Sequence, residues 1–304
     1  MGLSALRKVL APVPFDPAAL AGRVVAVDAD NLIWSFATAL GATGDFPRAP
    51  DGRPVAHLYG LVGRLRLYAQ WGVRSAWVFD GAQPDLKADT LQGRADRIQA
   101  AREAGDVQGS VEVTAEDLAE CRALLDALGV PSLVAPGESD AQCAHLARTG
   151  DAWAAVTQDW DIALFGAPRA LRNLTASRTR TPELLDLAAS LAAAGLTREQ
   201  LVDAAVLIGT DYNAGVPGVG PAKAIKLVKA HGTLAAALAA LRVTMPEAEA
   251  ARDLFLRHPV DPAFKPRFRA PDAPRALGFL ESRGVSGDRA RKLVDDLARL
   301  HGAG

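Results

Sequence analysis

Four short apolar runs rich in β-branched and aromatic residues mark the first half of the chain: RVVAVD (23–28), SAWVFD (75–80), VPSLVA (130–135) and WAAVT (153–157). Longer segments with apolar residues at helical spacing stand between them, for example LYGLVGRLRLYAQWG (58–72) and DLAECRALLDALG (117–129). The second of these follows Thr114, a residue suited to start a helix, after a break over 103–109. Strands that are apolar throughout and alternate with helices predict α/β architecture, a mostly parallel central sheet flanked by helices. From about residue 197 the strand signal ends and the pattern becomes helices with short turns, including the alanine-rich LAAALAAL (234–241). A proline-rich tract, HPVDPAFKPRFRAPDAP (258–274), has no helical period and leads into a last helix pair. There is no internal repeat, and the alanine runs read as composition bias.

Composition adds bounds rather than chemistry. With 304 residues and 49% hydrophobic content the chain can bury a sizeable core. Its two cysteines, Cys121 and Cys143, lie in helix-like apolar surroundings, which argues against a disulfide framework or a thiolate zinc site and predicts a reducing compartment. The opening MGLSALRKVLAPVP is too short an apolar run for a secretory signal. No stretch approaches the roughly 20 apolar residues of a membrane span, so the expected location is intracellular, in the cytoplasm with the nucleoid. Thirty-four basic residues against 35 acidic ones leave a net charge of -1. Nucleic-acid binding is therefore a question of where the charges fall.

The acids fall in one place. Ligands of a parallel sheet bind beyond the carboxyl ends of its strands. The first run ends in Asp28 and the second in Asp80; the third leads to Glu138 and Asp140, the fourth to Asp159 and Asp161. A seventh acid, Asp211, sits in LIGTDYNAGVPGVG, where the helical part begins. Any one of these acids alone reads as a helix cap or turn residue. Together they do not, since two carboxylates about 4 Å apart repel by roughly 1 kcal/mol in water and about 4 kcal/mol at an effective dielectric of 20. Such a cluster needs cations or protons, and oxygen donors without His or Cys suit Mg²⁺ or Mn²⁺. Two such ions can activate a water and stabilise the leaving oxygen of a phosphodiester. The two-residue spacing of Asp159 and Asp161 predicts that both point from one strand end toward the same ion pair.

The blocks VAVDADNLIW, WVFDGAQPDLK, GVPSLVAPGESDAQCAHLARTG, AAVTQDWDIALFGAPRALRNLT and LIGTDYNAGVPGVGPAKAIKLVKAHG stand in this order along the chain. They resemble the flap endonuclease branch of the XPG-like structure-specific 5′ nucleases over nearly its whole length. The resemblance implies a nuclease core over 1–200 (blocks 1–95 and 117–200, with a cap over about 87–116), a helix-hairpin-helix region over 201–245 and a C-terminal wrap over 246–304. It also implies two Mg²⁺, replaceable by Mn²⁺, held by Asp28, Asp80, Glu138, Asp140, Asp159, Asp161 and Asp211, and hydrolysis of branched or 5′-ended DNA in replication or repair. Lys87 and Arg94 match two basic residues that polarise the scissile phosphate. Their separation of seven residues puts them on one helix face, against the alternative of an ordinary solvated face. Trp34 matches an aromatic that stacks on a base beside the cut, a contact worth about 1 to 3 kcal/mol; the competing reading is a core tryptophan. The turn at Gly218 and Gly220 would grip a phosphate at a helix N-terminus, with Lys223, Lys226 and Lys229 as a basic stripe. A monovalent cation such as K⁺ would sit on backbone oxygens near Gly215 and Val216.

The chain also departs from that pattern. Asp140 stands where the branch usually carries Glu, one methylene longer. The segment between Asp80 and Glu138 is short, which puts the demand for a free 5′ end in question. The closing LARLHGAG has no sliding-clamp-binding signature, and the expected state is a monomer. Two other readings compete. VAVDADN has the Asp-x-Asp look of a haloacid-dehalogenase phosphatase, but Leu32 stands where Thr or Val is expected, and Asp80 and Glu138 are left unexplained. A junction-binding protein that has lost catalysis should have shed at least one of these acids. An RNA-cutting relative fits the acids as well, and the duplex-gripping module favours DNA.

Overall fold

Each of the four predicted runs forms a strand in the computed structural model, which describes residues 6–41, 47–106, 109–175 and 180–302. They are β2 (Val24–Asp28), β3 (Arg74–Phe79), β4 (Ser132–Val134) and β5 (Ala154–Val156). Three strands carry no such signal: β1 (Val13–Pro14), β6 (Arg169–Arg172) and β7 (Glu183–Asp186). Among the described residues the sheet runs β1-β7-β6-β5-β2-β3-β4. Pairings from β6 through β4 are parallel, while β7 pairs antiparallel with both β6 and β1. β6 (RALR) and β7 (ELLD) each hold two apolar residues between charged ends, too short a run to stand out in the sequence.

The alternation of strand residues divides the core in two. Val25, Val27, Trp77 and Phe79 face a layer containing α3 (Ala56–Gln70), α5 (Ala115–Ala127), α13 (Ala273–Ser282) and α14 (Gly287–Gly302). Ala26, Val78 and Ala155 face the other layer, built on α6 (Ser139–Thr149), α9 (Arg198–Ile208), α10 (Pro221–His231) and α12 (Ala248–Leu256). Small side chains on both sides, Ala26 and Ala155 on the sheet and Ala141, Cys143 and Ala144 on α6, let that helix lie close against β2 and β5. α5 starts where the sequence places it, with Thr114 and Asp117 forming a reciprocal capping box.

α4 (Ala88–Glu103) differs from these helices, because none of its residues is buried. Residues 107 and 108 of the expected cap, and the first residues of the N-terminal block, lie outside the described residues. The proline-rich tract runs back over the first half of the chain. Arg269 donates its amide to the Gly129 carbonyl (3.0 Å) and Asp272 its amide to that of Ala127 (2.8 Å). No single helix among the described residues is long and apolar enough to cross a membrane.

The carboxyl ends of β3 and β4 are tied by an unusually close approach. The Gly81 amide donates to the Gly137 carbonyl (2.8 Å), and a Cβ on Gly81 would stand 1.8 Å from the Ala135 carbonyl oxygen. Only glycine fits without moving backbone. We expect Gly81→Ala to cost about 1–3 kcal/mol, the range for overpacking, measured by urea unfolding; an unchanged midpoint would contradict this packing.

Candidate active site

The carboxyl edge of the sheet collects the acids. Asp28 is the last residue of β2 and is buried. Its Oδ1 accepts from the Ser139 hydroxyl (2.9 Å) and its Oδ2 from the Thr157 hydroxyl (2.9 Å). Asp80, just beyond β3, accepts from the Ser139 backbone N–H (2.8 Å). Ser139 is the first residue of α6, so this one residue fixes the helix start against two acids. Glu138 is the N-cap of α6 and Asp140 lies in its first turn, where a helix N-terminus favours negative charge. Both are 7% exposed.

The expectation for Asp159 and Asp161 needs correction. β5 stops at Val156, so neither acid belongs to the strand and a two-residue strand period does not aim them. Residues 157–160 form a turn, and Asp161 opens the short helix α7 (Asp161–Leu164). Asn31 donates to Asp159 Oδ2 (2.8 Å). Arg172 donates to the Gln158 carbonyl and stacks 3.8 Å from the Trp160 ring centroid, which holds the turn from β6. One carboxylate oxygen each from Asp28, Asp140 and Asp159 lie within 4.8 Å of one another. Asp211, between α9 and α10, is close enough to raise the pKa of both Asp159 and Asp161.

The basic residues are placed differently from one another. Lys87 Nζ stands 2.7 Å from Glu138 Oε1. It ends a 3₁₀ turn (Asp85–Lys87) that runs without a break into α4, of which Lys87 is the N-cap residue and within which Arg94 lies. Arg94 is exposed and near enough to lower the Asp159 pKa. Trp34, on α2 (Ala29–Gly41), is 52% exposed, which removes the core reading. Lys223, Lys226 and Lys229 are exposed along α10, and Gly218 and Gly220 form the exposed turn before it. Gly215 adopts a φ of 75° against the Ile208 and Gly209 backbone, while the Val216 carbonyl accepts from the Val219 amide (3.0 Å).

The family model for the XPG N-terminal domain matches residues 1–101, and that for the XPG I-region matches residues 129–211. Flap endonuclease 1 of Methanopyrus kandleri is 38% identical, over 98% of this chain and 94% of its own. The chain belongs to the flap endonuclease family. The structure of flap endonuclease-1 from Methanococcus jannaschii superposes with a TM-score of 0.81, at 29% identity and 96% coverage of both chains. The catalytic core of Rad2 in complex with DNA substrate gives 0.77 at 25% identity, covering 97% of this chain and all of that one. Membership in the flap endonuclease family removes the haloacid-dehalogenase alternative.

Flap endonuclease family membership leaves the electrostatics of this edge to be explained. Burial, reinforced by neighbouring carboxylates, pushes Asp28, Asp140 and Asp161 well above the usual carboxylate range. Asp159 is raised by its surroundings and then by Asp211, although solvent reaches it; Arg172, the Asn31 bond and Arg94 work against that rise. Burial opposes the charge on Lys87, but Glu138, Asp80 and Asp211 outweigh it and raise its pKa. Asp140 Oδ1 is buried without a hydrogen-bond partner among the described residues. An unpartnered buried carboxylate oxygen facing other acids fits a hard divalent cation, as does a donor set of oxygens alone.

Sequence reasoning missed several supports of the site. Asp30 accepts from the Asp80 amide (2.9 Å), and burial followed by Asp80 raises its pKa to about 6. Asp30, Asn31, Ser139 and Thr157 lie inside the same sequence blocks as the acids, so their positions were available. The Tyr212 hydroxyl is buried beside Glu138 with no bond of good geometry among the described residues. His258, whose Nε2 accepts from the Glu138 amide (2.9 Å), lies 120 residues from it and had no signal.

Raised carboxylate pKa values have a definite sign for stability. The folded state holds these protons more tightly than the unfolded chain. Their stabilising effect is complete below the unfolded aspartate pKa of about 3.9 and is lost as pH rises through the folded values, which for Asp30 is about 6. In chelator, the melting temperature should therefore be lower near pH 8 than near pH 5. Asp140→Asn should raise stability near pH 8 by about 1 kcal/mol or more. A pH-independent melting temperature in both proteins would contradict the crowding.

Proposed function

We propose that this chain is a divalent-metal-dependent, structure-specific 5′ nuclease that hydrolyses DNA phosphodiester bonds at 5′ flaps, nicks or 5′ ends in replication or repair. The observation that carries the reading is the cluster of Asp28, Asp140 and Asp159, with a buried oxygen on Asp140 that has no hydrogen-bond partner among the described residues. We assign Asp28, Asp80, Glu138, Asp140, Asp159, Asp161 and Asp211 to two Mg²⁺ sites that also accept Mn²⁺. When bound, such ions supply an activated water and charge stabilisation for the leaving oxygen.

The remaining tasks belong to side chains. Lys87 uses one of its three donors on Glu138, leaving two for a non-bridging phosphate oxygen. Arg94 would take the same phosphate from α4. The exposed Trp34 offers a stacking face for a base next to the cut. Gly218, Gly220 and the α10 lysines would hold duplex phosphates, with K⁺ on backbone oxygens near Gly215 and Val216. The working division is a core over 1–200, a duplex-gripping region over 201–245 and a wrap over 246–304, acting as a monomer. Thr90 Oγ1 donates to the Asp211 carbonyl (2.9 Å), which ties the base of α4 to the loop that carries Asp211. The segment between Asp80 and Glu138 is short for the branch, so a blocked 5′ end should still be cut.

The test is cleavage of a 5′-labelled double-flap DNA, free or blocked at its end, in Mg²⁺ and in EDTA. Asp28→Ala and Asp161→Ala should abolish cutting while DNA binding persists. Lys87→Ala should lower kcat by about 10²–10³, as for loss of one charge-stabilising donor. Equal losses of binding and cleavage in all three would contradict these roles. DNA binding with no product in any metal would favour the lapsed junction binder.

A further inference from the structure

We propose that His258 is a positioning residue of the acidic site, acting through the backbone of Glu138; this rests on the reading of that site as a divalent-ion centre. His258 follows α12, in the tract that crosses back over the core. Its Nε2 accepts the Glu138 N–H at 2.9 Å, and its Nδ1 lies 3.2 Å from the Leu254 carbonyl. A carbonyl can only accept, so Nδ1 carries the proton and Nε2 presents a lone pair. One neutral tautomer satisfies both contacts.

Glu138 N–H precedes the first turn of α6 and has no partner within the helix. Where it points sets how the helix enters, and with it the directions of the Glu138 and Asp140 carboxylates. The ring that holds this N–H has little room to move. It meets Phe165 edge-on (centroids 5.3 Å, 76°), and Phe165 packs on Phe255 at 5.1 Å. On its other side, a Cβ on Gly137 would stand 2.3 Å from Nε2.

The same tract grips α6 a second time. Gln142, four residues after Glu138 and fully buried, donates its Nε2 to the Asp261 carbonyl (3.0 Å) and accepts the Asp261 N–H on Oε1 (2.7 Å). Residues 258–261 thus brace one face of α6 at i and i+4. Meanwhile Ser139 ties the first turn to Asp28 and Asp80 from the sheet side. Asp28, Asp159, Asp161 and Glu138 all repel Asp140 across this turn. The brace resists that push before any cation arrives.

The test compares Mn²⁺ binding by calorimetry in the full chain for wild type, His258→Phe and His258→Gln. Phenylalanine keeps a ring against Phe165 without an acceptor, and glutamine restores an acceptor near the Nε2 position. We expect His258→Phe to weaken Mn²⁺ binding about tenfold, the lower end for loss of a ligand-orienting partner. His258→Gln should keep most of the affinity, with the metal-free melting temperatures of the two variants alike. Wild-type affinity in His258→Phe would overturn the proposal, as would equal losses in both variants that track a fall in metal-free stability. A wild-type chain that binds no Mn²⁺ would instead sink the reading of the site itself.

Discussion

Mutual repulsion among carboxylates at the carboxyl edge of the sheet is the constraint around which this structure is arranged. Asp28, Asp140 and Asp159 bring oxygens within 4.8 Å of one another, and burial makes the charges on Asp28 and Asp140 costlier than they would be in water. The fold answers with fixed donors on some of the oxygens. Ser139 and Thr157 hold Asp28, Asn31 holds Asp159, the Ser139 amide holds Asp80, and Lys87 holds Glu138. Asp140 Oδ1 is buried and has no donor among the described residues, which leaves it open to a cation.

Holding the acids in place requires rigid backbone, which explains packing that would otherwise look excessive. Gly81 lets the loops after β3 and β4 approach until there is no space for a methyl group, and Gly137 leaves room for the His258 ring. Alanines on β2, β5 and α6 bring the helix that carries Glu138 and Asp140 down onto the strand that carries Asp28. These small residues add little apolar burial of their own. Their contribution is distance, since larger side chains would lift α6 and spread the cluster.

How much of this could be read in advance follows from the range of each interaction. The four central strands, the capping at Thr114 and the strand-end positions of Asp28 and Asp80 were legible because each rests on a local pattern: an apolar run, a polar start, an acid at the end of a strand. β6 and β7 were not, because pairing with neighbours on both sides rescues two-residue apolar segments whose charged ends hide them. The strand-period argument for Asp159 and Asp161 failed for a related reason, as a turn held by Arg172 and Asn31 replaces the strand after Val156. The contact between His258 and Glu138 could not be read at all, since nothing in either local sequence refers to the other.

That separation has a consequence for how the molecule comes into being. A chain is synthesised from its N-terminus, and its domains tend to fold in that order. Every acid of the cluster and the strands beneath it precede the tract that braces α6, the acceptor for Glu138 coming 120 residues later. A nascent chain therefore carries the crowded carboxylates for some time with the outer face of α6 uncovered. Completion of the site is deferred until the last quarter of the protein has been made and has folded back, so that an interrupted translation product holds the acids but not their brace.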